Sequence, residues 1–376
     1  MLTERTKKIK TSLLHEFYKK AKETKGAISL AVGELDFSAP FRVRQRAKRI
    51  FEEGLHIRYT PAGGLKKLRE LAAQDFKESG IDWATPENVI IGPGAKPLLA
   101  GSFWAICEEG YEVIIPSPFY PPYLNLTLSF GGKPVLLDTK KDGFLLKGKR
   151  LEEMISEKTR AIVFNSPNNP TGAIWNPREL STLPENIIFI ADEAYFRFVY
   201  EGKFESLGRF KFAKERTIVI RSFSKTFAMS GFRLGYLLAP NEIAEKIESY
   251  LDMAVGCPNY VSQEAGIWAL EREKAFPFLL HKVLSLRRDY LICWLQERKI
   301  SFAPPMGAFY IFADFSRFGS SLEVAEKLLN EAKVVVTPGT AFGNYEGYLR
   351  LSYSNVELEK LREALDRIDK VLFKKR

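Results

Sequence analysis

Apolar and polar positions follow two rhythms along this chain. Between residues 88 and 239 short β-branched runs recur: NVIIG (88–92), EVIIPS (112–117), KPVLLD (133–138), RAIVFNSP (160–167), NIIFIADEA (186–194), TIVIRSFSK (217–225) and FRLGYLLA (232–239). Each stays apolar for four to six residues and then meets Gly, Pro, Ser or a polar residue. Unbroken runs of this length predict strands buried on both faces, as in a parallel sheet covered by helices on each side. Most gaps have room for a crossover helix, and residues 95–110 and 150–158 read as helical. The last gap does not. Only TFAMSG separates Lys225 from Phe232, whereas a parallel crossover needs about a dozen residues. The seventh strand is therefore predicted to run antiparallel to the sixth.

After residue 270 the rhythm changes. Residues 276–299 read as one long helix, followed by GAFYIFADF, a helix from about 321 to 332, VVVTPG and YLRLSYS. A closing helix is predicted over 355–373, with Ser354 and Glu357 as its capping box and Val356, Leu361, Leu365, Ile368 and Leu372 as its apolar stripe. The expected fold class is α/β: a seven-stranded, mostly parallel sheet with one antiparallel strand and helices on both faces, plus a smaller α+β domain. The large domain is expected over 46–270, and the smaller one over 271–376 together with the N-terminal segment 1–45.

Composition narrows the function classes. The chain has 376 residues, 45% of them hydrophobic, enough for a large core. No run of about 18 apolar residues predicts a membrane span, and the charged start MLTERTKKIK lacks the apolar stretch of a secretory signal. Cys107, Cys257 and Cys293 are odd in number and far apart, so neither a disulfide framework nor a CxxC pair is expected; a reducing cytoplasm is the simplest location. The net charge of +10 comes from bases interleaved with acids, as in EKIES and REALDRIDK. That pattern argues for a basic surface, one that would also suit anionic substrates, over a nucleic-acid stripe. His15, His56 and His281 are scattered, and no metal site is expected. Abundant charge with scarce glutamine is weakly in keeping with a thermophilic source.

Ligands of open α/β sheets bind at the carboxyl ends of strands. The segments just after the apolar runs are therefore informative: GPGAKP, SPFYPPY, NSPNNPTG, DEAY and RSFSKTFAMSGFR. A Gly-rich turn opening a helix offers free N–H groups to a phosphate, here from Gly94, Ala95 and Lys96. Ser222, Ser224 and Arg233 could complete such a cradle, since Arg donates to phosphate in a fork. Asp192 ends a strongly apolar strand, where a carboxylate is costly unless it meets a cation. A protonated pyridine nitrogen would serve, in a charge-assisted bond worth roughly 1.5–3 kcal/mol. Lys225 sits among these groups, and a lysine amine forms Schiff bases with aldehydes. Plainer readings exist for each: a surface lysine, a helix-capping aspartate, a packing Tyr195.

The ordered motifs NSPNNPTG, ADEAY, SFSKTFAMSGFRLGY and YLRLSYS, with YTPAGGLKKLRE before them and PPMGAFYIF late, carry a resemblance. From about Ile28 to Ser354 the chain resembles the class I/II aminotransferases, fold-type I enzymes of pyridoxal 5'-phosphate (PLP) related to aspartate aminotransferase. The resemblance implies that Lys225 holds PLP and shuttles a proton, while Asp192 pairs with the ring nitrogen. It implies that Asn169 and Tyr195 bond the ring 3-oxygen and that Tyr120 stacks on the ring, with Phe119 as a rival one residue away. The phosphate would fall to Ser222, Ser224, Arg233 and the backbone of Gly94, Ala95 and Lys96. Arg350, helped by Asn169, would grip the substrate α-carboxylate near Gly33, although a glycine there would equally serve a turn. Tyr59 would reach the phosphate of a neighbouring subunit, which implies a homodimer. The implied activity is ping-pong transfer of an amino group from an aspartate or aromatic donor to an oxo acid such as 2-oxoglutarate. No basic residue for a second substrate carboxylate can be singled out, so the donor stays open. A carbon–sulfur β-lyase on the same fold is the alternative. A regulator with a DNA-binding domain ahead of this core is not expected, because the core begins within about 30 residues. One departure, EEGYE in place of Pro-Gly-Asp before the second strand, touches only a loop.

Overall fold

The computed structural model describes residues 3–7, 9 and 13–373. In chain order its strands are β1 (Ile28–Ser29), β2 (Val89–Gly92), β3 (Glu112–Ser117), β4 (Lys133–Asp138), β5 (Thr159–Asn165), β6 (Ile188–Asp192), β7 (Thr217–Ser222), β8 (Gly235–Leu238), β9 (Tyr310–Asp314), β10 (Val334–Val335), β11 (Thr337–Pro338) and β12 (Tyr348–Ser352). The seven apolar runs form one seven-stranded sheet in the order β2-β8-β7-β6-β5-β3-β4. Strand β8 is antiparallel to both neighbours, β2 and β7, and the other pairings are parallel. The two edges differ: β2 is buried throughout, like β3, β7 and β8, whereas β4 at the opposite edge exposes Lys133, Leu136 and Asp138.

Both faces of the sheet are covered, which is why these strands do not alternate polar with apolar. Ile218 and Ile220 of β7 pack on the layer containing Leu98 and Phe103 of the helix Ala95–Ile106. Val219, between them, faces the layer with Phe76 of the helix Lys66–Glu78. The reversed strand has a consequence for the site. Its first residue, Gly235, pairs with Gly92 at the end of β2 and with Ser222 at the end of β7. The start of β8 therefore lies on the edge where the parallel strands finish, and Arg233 arrives there with it.

A second core joins the end of the chain to its beginning. Phe17, Ile28 and Leu30 pack with Leu284, Leu291, Ile311, Leu351, Leu361 and Leu365. The helices Phe276–Glu297 and Leu358–Leu372 flank a three-stranded sheet, β11-β12-β9. The single run VVVTPG is split between two sheets: β10 pairs in parallel with β1, and β11 pairs antiparallel with β12. The N-terminal segment is threaded between them, with Leu30 N donating to Val335 O (2.7 Å) and Ser352 N donating to Leu30 O (2.7 Å).

Two helix expectations need correction: the helix read over 150–158 is only the short Gly148–Glu152, and the closing helix lacks its expected cap. Ser354 does not cap the closing helix, which begins at Leu358 with Glu357 as N-cap and no side-chain cap bond. Ser354 is buried, and its hydroxyl donates to Glu34 O (2.7 Å), so it fastens the N-terminal segment instead. The capping box lies at Ser320 and Glu323, ahead of the helix Ser321–Lys327, and that helix widens into a π turn over Leu328–Ala332. Replacing Ser320 by Ala should lower unfolding free energy by about 1 kcal/mol, read from denaturant melts.

Candidate active site

A cavity of about 510 Å³ opens where the carboxyl edge of the large sheet meets the N-terminal segment and the small sheet. That is ample for a cofactor-sized ligand. Strands β5, β6 and β7 deliver Asn165, Asp192 and Ser222 to its wall, and the turn after β7 adds Ser224 and Lys225. Arg233 precedes β8, Arg350 comes from β12, and Tyr310 from β9. The remaining wall includes Ala95, Lys96, Tyr120, Tyr123, Asn169, Tyr195, Gly33 and Glu34.

Asp192 is buried at the cavity floor. Its Oδ2 accepts from Tyr123 OH (2.7 Å) and its Oδ1 from the N–H of Ala194 (3.1 Å). Burial raises its pKa, while those two bonds and the nearby Lys225 pull the other way. No cation within hydrogen-bond reach answers it among the described residues, so its remaining lone pairs are free for a cationic ligand atom. Asn165 steadies the same corner: its amide donates to Asp192 O (3.0 Å) and its Oδ1 accepts from Asn169 N (2.9 Å).

Arg350 is the complementary case. It is 1% exposed, its Nη1 donates to Asn169 Oδ1 (2.9 Å) and its Nη2 to Ala31 O (2.6 Å). It stacks over Tyr310 (4.3 Å) and Phe342 (4.8 Å), and its Nε has no partner. No carboxylate pairs with it among the described residues. A desolvated guanidinium without a counter-ion is costly, and a ligand carboxylate would supply one. Lys225, on the same wall, is half-buried. Burial lowers its pKa to about 8; Glu34 and Asp192 oppose the shift, and Arg350 and Arg233 reinforce it. Its ammonium donates to Gly33 O.

At the opposite end the helix Ala95–Ile106 begins at Gly94 with no side-chain cap, leaving first-turn N–H groups for an anion. Gly94 has φ +103°, and a Cβ there would meet Arg233 Nη2 at 2.6 Å. A Cβ on Gly235 would come within 2.8 Å of Ala95 N. Gly94 is therefore favoured by its left-handed backbone, and Gly235 by close backbone packing around this turn. Ser222 Oγ accepts from Ser224 N (3.2 Å), so both serines belong to one small turn beside the helix start.

All the residues singled out from the sequence line this cavity except Gly94 and Tyr59. Gly94 caps the helix that lines it. Tyr59 is 95% exposed and away from its own chain's cavity. Tyr120 faces the cavity whereas Phe119 is buried in the core, which decides between those neighbours. Gly33 is there for space: a Cβ would lie 2.0 Å from Tyr310 OH. Sequence reasoning passed over Tyr123, Asn165, Glu34 and Tyr310, whose hydroxyl bonds Tyr195 OH (2.9 Å). Tyr123 lies in the first turn of the helix Pro122–Ser129 just after Tyr120, and the two rings meet edge to face (5.6 Å). The helix Leu13–Glu23 was missed entirely, yet Leu14, His15 and Tyr18 line the cavity mouth. Among the described residues no His, Cys, Asp and Glu cluster could hold a metal ion, and no helix is long and apolar enough to cross a membrane. Gly33→Ala should push Tyr310 off Tyr195 and destabilise the chain by roughly 1–3 kcal/mol, measured by urea unfolding.

Residues 25–368 match the family described as aminotransferase class I and II. The chain is 37% identical to aromatic-amino-acid aminotransferase 2 of Thermococcus litoralis, covering 100% of this chain and 99% of that one. It is 39% identical to aspartate aminotransferase of Pyrococcus horikoshii, over 99% and 97% of the two chains. Aspartate aminotransferase from Thermus thermophilus with maleate has a similar structure, with a TM-score of 0.93 at 34% identity over 99% of this chain and 100% of that one. These relatives are transaminases, which leaves the carbon–sulfur lyase without support. The chain belongs to the class I and II aminotransferase family and is a pyridoxal-phosphate-dependent aminotransferase.

Proposed function

We propose that this cavity binds PLP through Lys225 and Asp192 and takes an L-amino acid by its α-carboxylate at Arg350. The observation that carries the reading is Arg350, a buried guanidinium with an unpartnered Nε and no carboxylate of its own. An amino acid held there would place its amino group toward Lys225, which lines the same wall.

The residues fit the cofactor's three chemical parts. The uncapped helix start at Gly94, Ala95 and Lys96, with Ser222, Ser224 and Arg233, suits the phosphate dianion. Asp192 suits the ring nitrogen and keeps it protonated. Asn169 and Tyr195 are the donors for the ring 3-oxygen, and Tyr120 covers the ring face. PLP, when bound, supplies an aldehyde for the donor's amino group and a ring able to take up the electrons of the Cα–H bond. Lys225 Nζ would accept the Cα proton as a neutral amine. Its lowered pKa suits that role near neutral pH. Asn169 holds Arg350 from the side, and Gly33 lets the backbone approach the carboxylate. The overall transfer is ping-pong, with an oxo acid such as 2-oxoglutarate entering second.

Two features of the wall bear on the donor. Leu14, His15, Tyr18 and Tyr120 offer apolar and aromatic contact, which suits an aromatic side chain. Lys96, exposed at the mouth, has no carboxylate partner among the described residues and suits an acidic one. The names of the Thermococcus and Pyrococcus relatives support the same two classes. A homodimer completes the reading. Tyr59 projects freely, and Phe41, Phe51, Leu55 and Ile57 expose apolar surface along the same stretch, as an interface would. Tyr59 would then reach the partner subunit's phosphate site. Cys107, Cys257 and Cys293 are free thiols, in keeping with a cytoplasmic protein.

Lys225→Ala should retain no borohydride-reducible PLP and lose transamination; near wild-type turnover would sink the assignment. In the apoenzyme, the rate of PLP capture should rise with pH through about 8 and then level off, because the amine must be neutral to attack. A donor screen with 2-oxoglutarate, scoring glutamate formed, should place aspartate or an aromatic amino acid first. Lys96→Met should depress the acidic donors while sparing the aromatic ones.

A further inference from the structure

Directly behind the cavity wall lies a buried ionic cluster that the reaction itself does not use. Its hub is Arg221, which is fully buried. Arg221 Nε and Nη2 both donate to Glu193 Oε2 (3.1 and 3.0 Å), and Nη1 donates to Asp75 Oδ2 (2.8 Å) and Ser79 Oγ (2.9 Å). The guanidinium lies between the rings of Phe196 (4.0 Å) and Phe76 (4.7 Å). Asp75 also accepts from Tyr236 OH (2.7 Å) and from Arg197 Nη2 (2.5 Å), and Glu193 accepts from Ser206 and from Leu207 N (3.3 Å). Two carboxylates thus meet two guanidiniums.

Position in the chain gives the cluster its significance. Glu193 follows Asp192, Arg221 precedes Ser222, and Arg197 is two residues beyond Tyr195. Tyr236 pairs across the ladder with Arg221 itself. Neighbouring residues of a strand point to opposite faces. Ser222 therefore reaches the cavity while Arg221 reaches the back of the sheet. Desolvating these ions costs several kcal/mol each, and apolar residues of similar volume would stabilise the chain as well or better. What the charged groups add is direction: the bonds of Arg221 fix where Glu193 stands relative to β7.

We propose that Arg221 is a positioning residue that, through Glu193, sets the spacing between Asp192 and the Ser222–Lys225 turn, and so the separation of the ring-nitrogen and phosphate contacts. This rests on the reading of the cavity as the PLP site. Misplacement by about 1 Å at such a site costs on the order of 10²-fold in rate.

The test compares PLP affinity of the apoenzymes, by fluorescence titration, with their thermal midpoints. Wild type serves as the control for the site: if it bound no PLP, the functional reading would fail before the inference was reached. The double variant Glu193→Met with Arg221→Met removes the central pair but leaves Asp75 with Arg197 and Tyr236. The expected result is a midpoint near or above wild type, weaker PLP binding, and a shifted pH midpoint for the visible absorbance of bound PLP. Wild-type PLP affinity and an unshifted pH midpoint in that variant would overturn the proposal. Should the double variant not fold, Arg221→Lys decides. It keeps the charge but loses the fork, so weakened PLP binding at an unchanged thermal midpoint supports positioning, and unchanged binding refutes it.

Discussion

Arg350 and Asp192 are charged groups held away from water without a protein ion of opposite sign to bond, and much of the active-site wall exists to make that tolerable. Arg350 draws on four separate stretches: Asn169 after β5, the carbonyl of Ala31 in the N-terminal segment, the ring of Tyr310 in β9 and the ring of Phe342. Asp192 draws on Tyr123 and the N–H of Ala194. Each set of partners is neutral. Neutral partners orient a charge without cancelling it, so the attraction remains for a ligand that carries both signs. An amino acid bound with PLP is such a ligand, with a carboxylate for one end and a cationic ring nitrogen for the other.

The reversed strand β8 serves the same end by topology. A parallel strand would deliver its last residues to the site, but β8 delivers its first. Arg233 thereby falls beside both the end of β2 and the turn after β7, where Gly94, Ala95, Ser222 and Ser224 gather. The packing is close enough that Gly235 has no room for a Cβ against the backbone of Gly94 and Ala95. The N-terminal segment acts as a strap across the opposite side. Ala31 bonds Arg350, Gly33 bonds Lys225, and Glu34 takes bonds from Ser230 through its carboxylate and from Ser354 through its carbonyl. It fastens the large sheet to the small one beside Lys225 and Arg350, and the helix Leu13–Glu23 ahead of it lines the mouth.

Behind the sheet, Arg221, Glu193 and Asp75 form a layer in which every charge is answered. The cavity shows the opposite arrangement. The charges behind the sheet are paired within the protein, and Arg350 and Asp192 in the cavity wall have no bonded counter-ion among the described residues. Adjacent residues take the two parts because strand alternation sends Asp192 and Glu193, or Ser222 and Arg221, to opposite sides.

The sequence by itself determined the strands, the reversal of the last one and the chemistry at the strand ends. Those come from local signals: the length of apolar runs, a gap too short for a crossover, and polar residues placed after each run. It also carried the cavity-lining set around Lys225, Asp192, Asn169, Arg233 and Arg350, because these residues stand in ordered motifs. Tertiary structure alone decided what depends on distant contacts. It gave Ser354 to the N-terminal strap and left the closing helix without the expected cap. It chose Tyr120 over Phe119, turned Gly33 from a flexible turn into a steric requirement of Tyr310, and brought Leu14, His15 and Tyr18 to the cavity. It also gathered Asp75, Glu193 and Arg221, as much as 146 residues apart in sequence, into one cluster. No local pattern marks such partners, since their meeting is fixed by how the layers pack and not by the residues beside them.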